Sequence, residues 1–144
     1  MKVSVLSDSN WEAKLDHATR GLSLRSHFEH RHYGTGLLGI VILLNCREPE
    51  LNHKQRVHFT RSTRTLYLDV MLDLDEMTKL DHTGRRQAIA KRLLAEVVRI
   101  ITSRGFKEFD ATAFTNDLRL AIEAQLLGAD ADRFDHLCKP RATC

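Results

Sequence analysis

Three groups of side chains in this sequence are of types that do chemistry, and each has a plainer reading beside it. His27, His30 and His32 gather with Glu29 and Arg31. Imidazoles three residues apart on a helix face the same way and can share a metal ion. Histidines at a helix end also interact favourably with its dipole when charged, and that solvated-end reading needs no metal. Asp69, Asp73, Asp75, Glu76 and Asp81 form the second group; such carboxylates suit a divalent cation or a basic protein surface. No nucleophile or second acid–base set is paired with them, so they favour binding over metal-dependent catalysis. Arg56, His58, Arg61 and Arg64, continued by Arg85, Arg86, Lys91 and Arg92, form a basic third group able to touch phosphates. Only Phe59 and Tyr67 supply aromatics nearby, and the glycine-and-aromatic signature of an RNA-binding sheet is missing. A solvated basic face accounts for the group equally simply.

The chain has no glycine-rich phosphate loop, no GxSxG elbow and no HExxH pair. Neither an enzyme nor a cofactor or metal requirement is therefore expected. Cys46, Cys138 and Cys144 are an odd set without CxxC spacing, which speaks for reduced thiols rather than a disulfide framework or a zinc site. The net charge of +3 is well short of the clustered basicity of a dedicated DNA binder. No apolar run approaches the roughly eighteen residues that span a bilayer. Met1 to Leu6 is followed at once by polar Ser7, Asp8, Ser9 and Asn10, so a secretion signal is not read and a cytoplasmic protein is expected.

These groups need elements to position them. At 144 residues, 42% hydrophobic and 28% charged, the composition is that of one globular domain; we read residues 1–128 as that domain and 129–144 as a loosely held tail. Lys2 to Ser7 reads as a short strand. Trp11, Leu15, Ala18 and Leu22 recur at helical spacing behind several N-cap oxygens. Two glycines in Tyr33-Gly34-Thr35-Gly36 mark a turn, and Leu37 to Leu44 reads as the central strand. After a polar loop with Pro49, Gln55 to Arg61 and Thr65 to Asp73 form a hairpin around Ser62-Thr63-Arg64. Its second strand alternates: Leu66, Leu68, Val70 and Leu72 point to the core, and Tyr67, Asp69, Met71 and Asp73 point to a wetter face. Thr83 is read as the cap of a helix over Gly84 to Ser103, ended by Gly105, and a last helix begins near Thr112 or Thr115 and closes at Gly128. The order predicts an α+β fold: an antiparallel sheet of about four strands, with one N-terminal and two C-terminal helices packed on it.

Three passages of this layout resemble the small immunity proteins of bacterial contact-dependent growth inhibition and polymorphic toxin systems, nearest the immunity protein 44 type. They are Tyr33-Gly34 before an apolar strand, the run Thr65 to Asp73 with acids just after it, and the amphipathic helix from Arg85 to Ile101. Together they cover about half the chain; the N-terminal third and the C-terminal tail lie outside the likeness. The resemblance implies a cytoplasmic, non-catalytic protein that binds and neutralises a cognate protein toxin, often a nuclease, by occluding its active site. Tyr67, Asp69, Met71, Asp73, Asp75, Glu76 and Asp81 are the expected partner contacts, apolar and acidic side chains on one strand face and just beyond it. The alternative from another class is a small nucleic-acid-binding regulator that uses the basic hairpin and helix.

Overall fold

The computed structural model describes residues 1–7, 11, 14–15, 17–19, 22–47 and 57–126. Four apolar or alternating runs become strands β1 (Lys2–Ser7), β2 (Gly39–Arg47), β3 (Val57–Thr60) and β4 (Thr65–Asp73). They form one sheet in the order β1-β2-β4-β3. The expected hairpin is present: β3 runs antiparallel to β4, with Val57 opposite Leu68 and Thr60 opposite Thr65.

The rest of the sheet is not antiparallel, and this corrects the expectation. β2 lies parallel to β1 on one side and parallel to β4 on the other, with Val41 facing Ser4 and Tyr67. A parallel pair needs a long crossover connection. The stretch between β1 and β2 supplies one, and the β3 arm returns the chain so that β4 enters in the direction of β2.

The helices are α1 (Arg25–Phe28), α2 (Leu74–Thr78), α3 (His82–Arg104) and α4 (Ala111–Leu126). Both long C-terminal helices form as read. The arrangement ahead of them differs, because a one-turn α1 and a one-turn α2 are added to it. The helix expected to open at Trp11 lies largely outside the described residues, although Trp11, Leu15 and Ala18 are buried. The Pro49 loop, Arg56 and the tail after Leu126 also lie outside them. α3 starts two residues earlier than read: Asp81, not Thr83, is its cap, with Oδ1 accepting from the Gly84 nitrogen at 2.7 Å. Gly105 ends it in the left-handed conformation, φ 59°, a C-cap that glycine adopts without strain. No described helix is long and apolar enough to cross a membrane.

Burial is one-sided. Ile40, Ile42, Leu44, Leu66, Leu68, Val70 and Val3 join Ile89, Leu93, Val97, Phe114, Leu118 and Phe28 in a single core. Burying each such side chain contributes roughly 1.5–3 kcal/mol. Along the opposite row of the sheet Ser4, Val41 and Leu43 are half-buried and Leu6 and Tyr67 exposed, while Asp69 is buried.

The two glycines read as a turn do two different jobs. Gly34 has φ 112°, which an L side chain rarely adopts. Gly36 needs no unusual torsion, but a Cβ there would lie 1.6 Å from the Lys107 carbonyl oxygen. The segment bridges the α3–α4 connection: Asp110 donates to the Tyr33 carbonyl at 2.7 Å and Gly36 to that of Glu108 at 3.1 Å. The glycines thus let two backbones touch, and that contact ties the entry of β2 to the entry of α4. Gly36→Ala should lower unfolding stability by roughly 2–3 kcal/mol through overpacking. Gly105→Ala meets no atom within 4 Å and should lose only about 1 kcal/mol for its torsion. Urea unfolding of both variants checks the order; a Gly36→Ala loss no larger than that of Gly105→Ala would contradict the close-approach account.

Candidate functional site

The alternation of β4 sets the faces as read, but not their exposure. Tyr67 is 40% exposed, whereas Asp69, on the same row, is only 4% exposed. Met71 and Asp73 are half-buried, and Asp75, Glu76 and Asp81 are exposed. Two of these acids cap helices. Asp73 accepts from the Glu76 nitrogen at 3.2 Å to start α2, as Asp81 does for α3. A carboxylate at a helix N-terminus satisfies an orphan amide and complements the dipole. Asp75 and Glu76 in the first turn of α2 remain as the exposed acidic pair.

Met71, Asp73 and Glu76 converge on one groove of about 480 Å³, whose lining also includes Met77, Lys91 and Arg92. Acids stand on its β4–α2 side and cations on its α3 side, over methionines that adapt to varied shapes. Tyr67 lies apart from it and lines a second hollow, of about 710 Å³, with Lys2, Arg25, His32, Leu38 and Val41. Sequence patterning drew attention to the β4 members of both. It passed over Leu38 and Lys2, because an apolar residue beside a strand and a lysine in one carry no periodic signal of what they line.

The basic group divides: Arg85 and Arg86 are partly buried, while His58, Arg61, Arg64, Lys91 and Arg92 are exposed. Arg86 donates to three carbonyls: Leu126 at 2.7 Å, Ala18 at 2.9 Å and Gln125 at 2.6 Å. It closes the C-terminus of α4 and pins the N-terminal segment to it. Arg85 donates to Met77 at 2.9 Å and Thr78 at 3.3 Å, and Arg92 to the Met71 carbonyl at 3.3 Å. Arg92 and Arg99 also flank Glu96, which is 8% exposed, at 3.5 and 2.8 Å. Arg64 donates to Thr35 at 2.7 Å. A helix that reads as basic by charge count therefore uses guanidinium forks as internal ties. His58 stays exposed on β3, its ring 6.4 Å from that of Tyr67.

The histidines do not converge. His27 sets its ring edge-on to Phe28 at 5.0 Å, His30 faces Glu29 at 3.0 Å, and His32 lines the hollow. Among the described residues no three His, Cys, Asp or Glu side chains gather at a metal-holding point. Tyr33 donates to Asp117 at 2.5 Å, a carboxylate that Arg31 also reaches at 3.1 Å. Burial and that acceptor raise the Tyr33 pKa far above its usual range, so the phenol is a fixed donor and not a base. Burial, with the Asp73 charge, pushes the Cys46 thiol up to about 11, which leaves it protonated and unreactive at neutral pH. Neither Tyr33 nor Cys46 is therefore poised as a nucleophile at neutral pH.

The chain is a small α+β protein with a four-stranded mixed sheet. The immunity protein 44 family model matches residues 1–124, and the chain belongs to that family of toxin-immunity systems. The match takes in the N-terminal third, which the likeness read from the sequence left out. No curated protein and no solved structure matches the chain.

The Arg86 account can be checked on the protein alone. Hydrogen bonds from a charged donor are worth about 1.5–3 kcal/mol each, so Arg86→Met should lower stability by about 3 kcal/mol or more, and Arg86→Lys should recover only part of it. Lys91→Ala, on the exposed side of the same helix, should change stability by less than about 0.5 kcal/mol. Equal effects of the Arg86→Met and Lys91→Ala variants in urea unfolding would contradict the assignment.

Proposed function

We propose that this chain is the non-catalytic cytoplasmic inhibitor of a cognate protein toxin in a bacterial contact-dependent growth inhibition system, and that it works by covering the toxin's active surface. Membership of the immunity family supports the class. The observation that carries the mode of action is the one-sided sheet, whose outward β4 row runs from exposed Tyr67 to the Met71–Asp73–Glu76 groove.

Within the expected contact set the roles divide. Tyr67 and Met71 are the apolar anchors, the kind of side chain that dominates interface energetics. Asp75 and Glu76 are the exposed charges for a basic toxin surface, such as the phosphate-binding cleft of a nuclease. Asp73 and Asp81 serve first as helix caps, and Asp69 supports the row from a buried position. The net charge of +3 does not oppose this reading, because Arg85 and Arg86 hold backbone carbonyls within the fold while Asp75 and Glu76 stay exposed. The same carbonyl bonds weaken the rival reading of a nucleic-acid-binding regulator, since Arg85 and Arg86 are held by them instead of forming part of a phosphate track.

Co-expression with the toxin encoded immediately upstream is expected to give protection and a complex that co-purifies; no complex and no protection would contradict the reading. Asp75→Lys with Glu76→Lys should weaken the complex by roughly tenfold or more, mainly through the association rate at low salt. The fold should survive, since both side chains are exposed.

A further inference from the structure

The 710 Å³ hollow at the Tyr67 end of the open sheet face differs in polarity from the acidic α2 end. Its apolar members Leu38 and Tyr67 are 45% and 40% exposed, two of the few large hydrophobic side chains left in solvent among the described residues. Lys2, Arg25 and His32 stand around them, all exposed. Glu29 is the one carboxylate in the lining, and it faces His30 at 3.0 Å. An apolar floor within a cationic rim is the composition of an interface centre: an aromatic and an aliphatic anchor, and charges that select an oppositely charged partner.

We propose that this hollow seats an acidic loop of the cognate toxin, one large apolar side chain entering between Leu38 and Tyr67 while flanking carboxylates meet Lys2 and Arg25. The inference rests on the immunity reading and deepens it. The toxin is gripped along β4 by two ends of opposite charge, acidic at α2 and basic here, which fixes its orientation as well as its affinity. A protein loop fits better than nucleic acid because the floor is apolar and, of its two tyrosines, Tyr33 is buried and bonded to Asp117, which leaves Tyr67 as the exposed ring, where strand binding uses a series of stacking platforms in a basic groove.

The test measures binding of the purified upstream-encoded toxin domain to four forms of the chain: unaltered, Lys2→Glu with Arg25→Glu, Tyr67→Ala, and Arg119→Glu as a charge reversal on exposed α4. Circular dichroism and thermal melts establish that each is folded. The expected result is a loss of roughly tenfold or more for the Lys2/Arg25 pair, steeper at low salt, and a comparable loss for Tyr67→Ala in the dissociation rate. The Arg119 variant should stay within about twofold, as befits a distant rim charge. If the unaltered chain binds the toxin and the Lys2/Arg25 and Tyr67 variants bind equally well, the hollow is not the contact and the immunity reading stands without it. If the unaltered chain does not bind the toxin at all, both fall. Salt-sensitive retardation of a short RNA by the unaltered chain, lost in the Lys2/Arg25 variant, would assign the hollow to nucleic acid and overturn the protein-loop proposal.

Discussion

The organising constraint is that the described helices pack on one face of the sheet. β2 is flanked by two parallel strands, and parallel sheets are ordinarily buried on both sides. Here the described helices give their apolar side chains to one core, against Ile40, Ile42, Leu44, Leu66, Leu68 and Val70. The other row keeps Leu6 at 53% exposed and Tyr67 at 40%. An uncovered sheet face with large apolar side chains is an interaction surface in waiting. The proposed mode of inhibition rests on that asymmetry.

Holding the sheet in this half-clothed state puts demands on the covered side. The Gly34–Gly36 passage lets the entry of β2 press on the α3–α4 connection, and Tyr33 locks to Asp117 within an aromatic cluster with Phe28 and Phe114. Arg86 gathers the end of α4 and the N-terminal segment onto α3. These ties let the binding face be presented on rigid strands, where a preorganised surface loses less ordering entropy on association.

Much of this was legible in the sequence because periodicity reports it directly. The alternation of Leu66 to Leu72, the apolar stripe from Ile89 to Ile101 and the Gly105 stop all appear where patterning places them. Strand direction was not legible: alternation states which face a side chain takes and says nothing of whether the neighbour runs parallel, so the sheet was read as antiparallel. Charge counting could not separate Arg85 and Arg86, bonded to carbonyls, from exposed Lys91 and Arg92 for a related reason. An arginine on a helix flank looks solvated until the carbonyls of a distant segment come within reach of its fork, and that is a tertiary fact. Asp69 illustrates the same limit, since the period of two gave its face but not its 4% exposure. Within the acidic run, Asp73 and Asp81 are helix caps, a local role their spacing before α2 and α3 could have disclosed.

The central claim is that the toxin covers the open sheet face and leaves the helical side free. Side-chain oxidative footprinting of the chain, alone and in complex with its toxin, tests it most directly. The account predicts that Tyr67, Leu38 and Met71 lose reactivity in the complex while Leu120, 48% exposed on α4, keeps its own. Protection of Leu120 with Tyr67 and Leu38 unchanged would contradict it.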